Sequence, residues 1–333
     1  MKKTLLIGEV GLAHEGSLGL AFSMIKECKR VNLDYVKFQL HNPEFESTKN
    51  EDFRVRVFPQ DTSRYDYWNR TTFTIEEWRK IVEYCKEVGI GFLCTPFSVW
   101  AAEVLLGLGV REVKVASGDC NNWELLTYLK SNFETIIVST GMSFKSEVIE
   151  LCKFMADYNG TFIVLQCTSS YPVTPKNVGL NYLLELFSVV NSVGLSDHTG
   201  NPLVSIAAIS CNASIIEFHV VFSKKQFGPD SSSSMTFEEA NLISQYRDLW
   251  VDLFDSDYSK DKIATDLLDM RKTFGRGLSL KNPLAKGETV YPEMFVMKKP
   301  LGPLNWGDRE RIVGKIANRD ISADEHITNS DFN

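Results

Sequence analysis

Short apolar runs alternate with amphipathic stretches along most of the chain. Eight runs rich in Val, Ile, Phe and Leu are continuously apolar, as strands covered on both faces are. They span residues 5–10, 35–40, 91–97, 113–117, 135–140, 162–168, 193–198 and 215–220. A helical pattern follows each run, at residues 18–30, 75–88, 99–108, 123–131, 145–158, 180–190, 202–211 and 237–254. This succession predicts an α/β fold with a parallel sheet, and eight strand–helix units are the number that closes into a (β/α)8 TIM barrel.

The alternation of strands and helices is interrupted once, after the second strand, and ends near residue 270. Residues 41–74 form a long insert after the second strand, rich in Phe, Arg, Tyr and Trp, which predicts a lid or binding loop. From Arg271 onward the sequence shows short β segments with turn signals such as Ala285-Lys286-Gly287-Glu288. The pattern predicts two domains, a TIM barrel over residues 1–268 and a small, mostly β domain over residues 269–333.

The overall composition is that of an ordinary globular protein, with 44% hydrophobic and 24% charged residues. No apolar run approaches the roughly 18 residues of a membrane helix. The apolar start is interrupted at Glu9, too early for a signal peptide, so we expect a cytoplasmic protein. A net charge of -7 argues against a nucleic-acid or anionic-membrane partner. The seven cysteines include no C-x-x-C pair, which favours buried thiols in a reducing compartment.

Polar residues close every predicted strand. In a (β/α)8 barrel the active site lies at the carboxyl ends of the strands. One polar strand end is unremarkable, but eight that converge on one mouth favour a functional site. The residues concerned are Glu9, Lys37, Gln39, Thr95, Lys114, Ser117, Ser139, Thr168, Ser169, Ser196, His198, Glu217 and His219.

Two histidines, His198 and His219, close neighbouring strands, so their imidazoles can meet on one divalent metal ion. Either histidine alone is better explained as a hydrogen-bonded structural residue. The pairing, with an acid beside each ring (Asp197 and Glu217), favours a metal site. Two nitrogens completed by oxygen ligands suit Mn²⁺ better than tetrahedral zinc, and Mg²⁺ and Co²⁺ are alternatives.

The lysines at the predicted mouth, Lys37 and Lys114, indicate an anionic ligand. Together with hydroxyl donors at Thr95, Ser117, Ser139 and Ser196 they suit a phosphate or a carboxylate. Alternatively, each lysine is simply a solvent-exposed residue at the end of a strand. The apolar neighbours of Lys37 make this explanation weaker for that residue. The phosphate-binding glycine motifs of nucleotide folds are absent from the sequence.

The first strand carries a carboxylate, Glu9, between two glycines, which is plausible for a general acid or base. The following segment, His14-Glu15-Gly16-Ser17, predicts the start of a helix, with Gly16 in the turn and Ser17 as the N-cap.

The motifs, in order, resemble those of the sialic acid synthase family. The matching segments are residues 8–17 (GEVGLAHEGS), 36–39 (VKFQ), 94–97 (CTPF), 113–119 (VKVASGD), 139–142 (STGM), 167–172 (CTSSYP), 195–199 (LSDHT), 217–219 (EFH) and 228–230 (GPD). The tail, with residues 286–288 (KGE), 298–300 (KKP) and 313–315 (VGK), is similar to the family's antifreeze-like (SAF) domain of the β-clip type.

The resemblance implies condensation of phosphoenolpyruvate with an open-chain N-acetylated aminosugar, N-acetylmannosamine or a related 2,4-diacetamido hexose, to give a nonulosonic acid and phosphate. It implies that His198 and His219 bind Mn²⁺ and that Glu9 acts near the metal and the new C–C bond. Phosphoenolpyruvate is then held by Lys37, Thr95, Lys114, Ser117, Ser139 and Ser196, with Ser169 beside the phosphate. Gln39, Tyr171 and Asp230 are expected to contact the sugar. The antifreeze-like domain is expected to cap the partner's barrel in a domain-swapped homodimer, with Lys299 reaching the sugar.

Three positions depart from the family pattern. Ala13 stands where many members of the family have Asn before the His, and Ser169 stands where some members have Asn beside the phosphate. Lys299 stands where the antifreeze-like domain usually offers an arginine to the sugar. Lysine keeps the charge of that arginine but loses its planar fork. The Gly228-Pro229-Asp230 segment resembles neuraminic- and legionaminic-type synthases more than pseudaminic-type ones.

Two alternative functions remain open at this point. One is a phosphoenolpyruvate-dependent 3-deoxy sugar-acid synthase that acts on a phosphorylated aldose. The antifreeze-like tail and the absence of an obvious second phosphate site argue against it. The other is a sugar-binding barrel without turnover, against which the intact Glu9, His198, His219 and both lysines argue.

Overall fold

Eight parallel strands close into a barrel in the computed structural model, which describes residues 3–55, 59–254, 258–261 and 265–333. The strands pair in chain order, and β1 pairs with β8 to close the ring. They are β1 (Leu5–Gly11), β2 (Tyr35–Leu40), β3 (Gly91–Pro96), β4 (Glu112–Val115), β5 (Thr135–Ser139), β6 (Thr161–Cys167), β7 (Val193–Asp197) and β8 (Ile215–Val221). The predicted α/β TIM barrel is therefore confirmed.

Helices connect the strands and cover the outside of the barrel. They are α1 (Leu18–Arg30), α4 (Ile75–Val88), α5 (Val99–Gly107), α6 (Trp123–Asn132), α7 (Lys145–Phe154), α8 (Leu180–Leu186), α9 (Pro202–Ser210) and α10 (Phe237–Phe254), with α2 (Pro43–Glu46) and α3 (Arg64–Thr71) inside the long insert. Ser17 caps α1 as predicted, since its hydroxyl accepts a hydrogen bond from Leu20 N. Helices α7 and α8 end several residues earlier than their apolar patterns suggested.

The interior of the barrel changes from apolar to polar along the strands. Because successive strand side chains alternate faces, residues two apart point the same way. Ile7, Ile137 and Ile215 belong to an apolar cluster formed by the strands. The residues two positions further on are Glu9, Ser139 and Glu217. The alternation of side chains along the strands therefore places an apolar layer in the barrel interior and a polar layer above it, at the carboxyl ends of the strands.

The insert between β2 and α4 is ordered around two aromatic residues, apart from residues 56–58, which lie outside the described ranges. Tyr67 and Trp68 of α3 are buried and pack with Leu12 from the end of β1. Arg70 of α3 holds Asp61 through two hydrogen bonds of 2.9 and 2.8 Å. The predicted lid or binding loop is therefore a packed wall with its own helices.

The chain divides into two compact units, Met1–Ser256 and Asp257–Asn333. The second unit contains helix α11 (Thr265–Phe274) and an antiparallel pair, β10 (Gly277–Leu280) and β11 (Phe295–Lys298). Its β structure begins at Gly277, not at Arg271, because the helix continues to Phe274. After α11 the unit also contains isolated antiparallel bridges, and it has an apolar core of its own. A two-residue strand, β9 (Met235–Thr236), also escaped prediction and pairs with β8.

Most of the cysteine thiols are buried, as the sequence predicts. All seven cysteines are free, and five of them are buried. In the ranges that the structure describes, no helix has the length and apolar character to cross a membrane.

Glu15 gives a pH-dependent test of how the insert is attached. Its backbone is left-handed (φ 52°), and its carboxylate lies 3.8 Å from Nη1 of Arg70, whose guanidinium binds Asp61 through its other two nitrogens. Burial raises the pKa of Glu15 to about 7. The unfolded chain releases this proton at lower pH than the folded chain, so stability falls as the pH rises from about 4.5 to about 7.

We therefore expect Glu15→Gln to be more stable than the wild type at pH 8 by about 1–2 kcal/mol, allowing for partial exposure, and to lose that advantage below pH 4.5. Urea denaturation at several pH values measures it. The exposed Glu83→Gln on α4 is the control and should follow the wild type. A Glu15→Gln advantage that does not change with pH would contradict this origin.

Candidate active site

A cavity of about 640 Å³ lies at the carboxyl ends of the barrel strands and beneath the insert. It brings together thirteen of the fourteen site residues predicted from the sequence: Glu9, Lys37, Gln39, Thr95, Lys114, Ser117, Ser139, Ser169, Tyr171, Ser196, His198, His219 and Asp230. The fourteenth, Lys299, is exposed in the second unit, where its Nζ lies 5.1 Å from the ring centre of Phe274. Thr168, also at a strand end, instead donates its hydroxyl to the Asn177 carbonyl.

Four buried charges form the floor of the cavity. Lys37 Nζ lies 2.8 Å from Glu9 Oε2 and 3.8 Å from Glu217 Oε1. Lys114 Nζ lies 3.9 Å from the same Glu217 oxygen. A buried charge is costly unless it is paired, so these two acids and two lysines depend on one another.

The pKa values of this cluster show how the charges are held. Burial opposes the ionised form of Glu217, but Lys114 and Lys37 outweigh it and lower the pKa of this carboxyl. Burial likewise disfavours charged Lys37, yet Glu217 and Glu9 raise the pKa of this lysine. Lys114 has one carboxylate nearby, and burial lowers its pKa. Of the two lysines, Lys114 is therefore the one that gives up its proton more readily.

Hydroxyl and backbone groups beside the lysines form a cradle. Ser139 Oγ is buried and has no hydrogen-bond partner. Ser117 Oγ accepts a hydrogen bond of 2.9 Å from the backbone N–H of Gly141. A Cβ on Gly141 would approach Ser169 Oγ to 2.4 Å and Cys167 Sγ to 2.8 Å, so only glycine leaves this space open. Such a set of donors around a small gap suits a phosphate group.

The imidazoles of His198 and His219 face each other across the mouth, with ring centres 5.5 Å apart. His198 Nδ1 lies 3.1 Å from the Thr168 carbonyl, which can only accept, so the ring donates there and, when neutral, presents the lone pair of Nε2. Burial opposes the charged ring of His198, but Cys167 and the Thr168 carbonyl outweigh it and raise the pKa of this histidine. Burial lowers the pKa of His219, which favours a neutral ring. In their neutral forms the two imidazoles are suitable ligands for a divalent ion.

The acids next to these histidines in sequence serve other groups. Asp197 accepts hydrogen bonds from Thr199 N (2.8 Å) and Ser205 Oγ (2.7 Å). Glu217 points to the lysines. The acid near an imidazole is Asp230, whose Oδ2 lies 4.0 Å from His219 Nδ1. Sequence adjacency therefore misplaced the ring partners.

No group of three or more His, Cys, Asp or Glu side chains arranged to hold a metal occurs within the described part of the chain. A metal on the two imidazoles would accordingly take its remaining ligands from water or substrate oxygens. That donor set fits an octahedral ion better than a closed zinc site.

The side of the cavity nearest the insert contains residues that sequence reasoning missed. Arg54 forms an ion pair with Asp230, and its guanidinium lies 4.1 Å from the ring centre of Tyr171. His41 and Glu46 also line the cavity. The aromatic and basic composition of the insert indicated a binding loop, but no motif identified these particular residues.

A closed (β/α)8 barrel with buried ion pairs at its strand ends is the architecture of an enzyme active site. Residues 24–256 match the NeuB family, and residues 275–333 match the SAF domain. The chain belongs to the NeuB family. The predicted resemblance and the SAF tail are thereby confirmed.

Relatives with similar sequences are named as synthases. The N,N'-diacetyllegionaminic acid synthase of Campylobacter jejuni is 29% identical, over 98% of this chain and 99% of its own length. The human N-acetylneuraminate-9-phosphate synthase is 30% identical, over 73% of this chain and 69% of its own. Among solved structures, the N-acetylneuraminic acid (sialic acid) synthetase of Leptospira borgpetersenii, in complex with citrate, is similar with a TM-score of 0.70 and 25% identity, covering 81% of this chain and 90% of that one.

The cradle around Gly141 can be tested with inorganic phosphate. We expect Gly141→Ala to weaken phosphate binding at least about tenfold, because a methyl group fills the gap between Ser169 and Cys167 and a factor of ten corresponds to one lost hydrogen bond. Isothermal titration calorimetry measures this. Gly118→Ala is the matched control, since its Cβ would meet only Met142 at an ordinary 3.5 Å. Equal losses in both variants would contradict the cradle.

Proposed function

We propose that this protein condenses phosphoenolpyruvate with an open-chain acetamido sugar, N-acetylmannosamine or a related 2,4-diacetamido hexose, to give a nonulosonic acid and inorganic phosphate. The observation that carries the proposal is the juxtaposition, in one cavity, of a lysine-and-hydroxyl cradle with a pair of facing imidazoles. The names of the relatives, which describe legionaminic and neuraminic products, support the same reaction class.

The anionic substrate would bind at the hydroxyl cradle. Lys114 and the hydroxyls of Ser117, Ser139 and Ser196 would hold its phosphate and carboxylate, with Lys37, Thr95 and Ser169 beside them. Thr95 is already ordered, because its Oγ1 accepts a 3.1 Å hydrogen bond from Lys37. Gly141 leaves the room that the phosphate needs.

The bond changes assign a task to Glu9. C3 of phosphoenolpyruvate bonds to the aldehyde carbon, the aldehyde oxygen gains a proton, water adds at C2, and phosphate leaves. Glu9 is held by Lys37 and by Gln39 Nε2, which donates a hydrogen bond of 2.7 Å to Oε1. A carboxylate fixed in this way is suited to accept the proton of the attacking water.

The sugar would lie between the imidazole pair and the insert. Gln39, Tyr171 and Asp230 line this side of the cavity. Tyr171 stacks on His198 at 4.2 Å between ring centres, so it also fixes that ring. A divalent ion, Mn²⁺ by preference and Mg²⁺ or Co²⁺ as alternatives, would bind to His198 and His219 and polarise the sugar aldehyde.

The experiment that tests the function measures phosphate release from phosphoenolpyruvate with a panel of sugars. The panel contains N-acetylmannosamine, its 6-phosphate, a 2,4-diacetamido hexose and two phosphorylated aldoses. The proposal predicts turnover with an acetamido sugar and a nine-carbon product by mass spectrometry. Turnover only with a phosphorylated aldose would establish a 3-deoxy sugar-acid synthase instead. Binding without turnover would establish a non-catalytic barrel.

The metal assignment is tested by His198→Ala and His219→Ala. We expect both variants to fold and to bind Mn²⁺ more weakly, with turnover reduced about 100-fold or more, since each removes one of two protein ligands. Circular dichroism checks folding, and electron paramagnetic resonance measures bound Mn²⁺. The exposed Glu83→Gln on α4 is the control and should bind Mn²⁺ and turn over as the wild type does. Undiminished Mn²⁺ binding in both histidine variants would contradict the assignment.

The domain-swapped homodimer is proposed from the family resemblance and is tested by subunit exchange. If Lys299 reaches a partner's sugar site, mixed dimers of His198→Ala and Lys299→Ala contain one intact site and one site that lacks both residues. Random pairing makes half of the dimers mixed, so activity should recover to about a quarter of the wild-type value. The test requires that Lys299→Ala alone is inactive. No recovery after verified exchange would contradict the swap.

A further inference from the structure

A chain of hydrogen bonds connects the insert to Glu9. Glu46, at the end of α2, places Oε1 2.7 Å from His41 Nδ1. His41 Nε2 lies 3.0 Å from Gln39 Oε1, and Gln39 Nε2 donates to Glu9 Oε1 at 2.7 Å. The chain therefore runs Glu46–His41–Gln39–Glu9, and none of the sequence motifs includes His41 or Glu46.

The ring of His41 is held rigidly. It is stacked between Trp68, at 4.0 Å between ring centres, and Phe97, at 4.2 Å, with interplanar angles of 11° and 15°. The side chains of His41 and Glu46 are only 5% and 6% exposed. Rings packed on both faces hinder rotation about the Cβ–Cγ bond, so the two nitrogens of His41 keep separate partners.

The direction of each bond follows from Glu9. An ionised carboxylate only accepts, so Gln39 must turn its NH₂ group toward Glu9 and its carbonyl oxygen toward His41. That oxygen also only accepts, so His41 must carry a proton on Nε2. The opposite orientation of the amide would place two acceptors, Gln39 Oε1 and Glu9 Oε1, in contact.

The contacts of the other ring nitrogen, Nδ1, are consistent with this arrangement. A proton must also lie between His41 Nδ1 and Glu46 Oε1 to join them at 2.7 Å. Glu46 Oε2 accepts a second bond from the backbone N–H of Asn42. Two further titratable groups, His14 and Asp119, interact with His41. Burial lowers the pKa of His14 to about 3, so it is neutral, and burial raises the pKa of Asp119.

We propose that His41, held by Glu46, is a positioning residue that donates Nε2–H to Gln39 and thereby fixes the Gln39 amide against Glu9. This inference rests on the proposed function in one respect: the catalytic importance of the hydrogen-bond chain depends on the roles proposed for Glu9 and Gln39 in the condensation. The phosphate cradle is formed by other strands. Loss of this hydrogen-bond chain is therefore expected to change the rate of the catalytic step and the binding of the sugar more than the binding of phosphoenolpyruvate.

The protonation is tested on the ligand-free protein by ¹⁵N–¹H correlation spectra of histidine-labelled protein at pH 7. His41 is assigned from the signal that disappears in His41→Phe. The proposal predicts a protonated Nε2. A ring with an unprotonated Nε2 would overturn it, whatever the activity of the enzyme.

The positioning role is tested by a matched pair of substitutions. In His41→Gln the amide nitrogen can take the place of Nε2 and donate to Gln39, whereas in His41→Asn it reaches only the place of Nδ1. We expect His41→Asn and His41→Phe to lower kcat about 10- to 100-fold with less than about a twofold change in KM for phosphoenolpyruvate, and His41→Gln to retain several times more activity.

Phe45→Ala is the control for a general loosening of α2, because Phe45 stacks on Trp100 at 5.3 Å and does not line the cavity. We expect its kcat within about twofold of the wild type. Equal activity of the Gln and Asn variants, or a loss in Phe45→Ala as large as in His41→Asn, would overturn the positioning role. If the wild type releases no phosphate with any sugar, the proposed function fails, and the ring-nitrogen signal alone then decides the inference.

Discussion

The site depends on four charges buried together on the floor of the barrel mouth. Glu9 and Glu217 are ion-paired with Lys37 and Lys114, and all four side chains are less than 8% exposed. Removing one member would leave another charge buried without compensation, which typically costs 3–5 kcal/mol, so roughly that loss is expected here. The apolar layer beneath them excludes water, and the barrel register brings them within reach of one another.

This charge balance constrains what the cavity can bind. Among the described residues that line it, six carboxylates face four lysine or arginine side chains. This excess of carboxylates opposes the entry of an anion, and a cation bound beside the anion would offset it. The two imidazoles lie where a divalent ion would offset that excess, which gives the proposed metal an electrostatic role in addition to polarising the aldehyde.

The barrel, its strand ends and eleven of the thirteen site residues in the cavity were predictable because the strand period and the rule of carboxyl-end active sites act locally. Tyr171 and Asp230 were expected only from the family resemblance. The insert was not. The stacking of His41 between Trp68 and Phe97 and the pairing of Arg54 with Asp230 join segments that are distant in sequence. The same limit explains why Asp197, next to His198 in sequence, was wrongly read as its partner: successive strand residues point to opposite faces, and Asp197 bonds Ser205 of α9.

The most direct test is calorimetric titration of phosphoenolpyruvate into the metal-free protein and into protein supplied with Mn²⁺. A cavity with excess carboxylates and an imidazole pair predicts that Mn²⁺ tightens phosphoenolpyruvate binding at least about tenfold, which corresponds to a coupling free energy near 1.4 kcal/mol. The increase should disappear in His198→Ala. Equal phosphoenolpyruvate affinity with Mn²⁺ and with chelator would contradict the account.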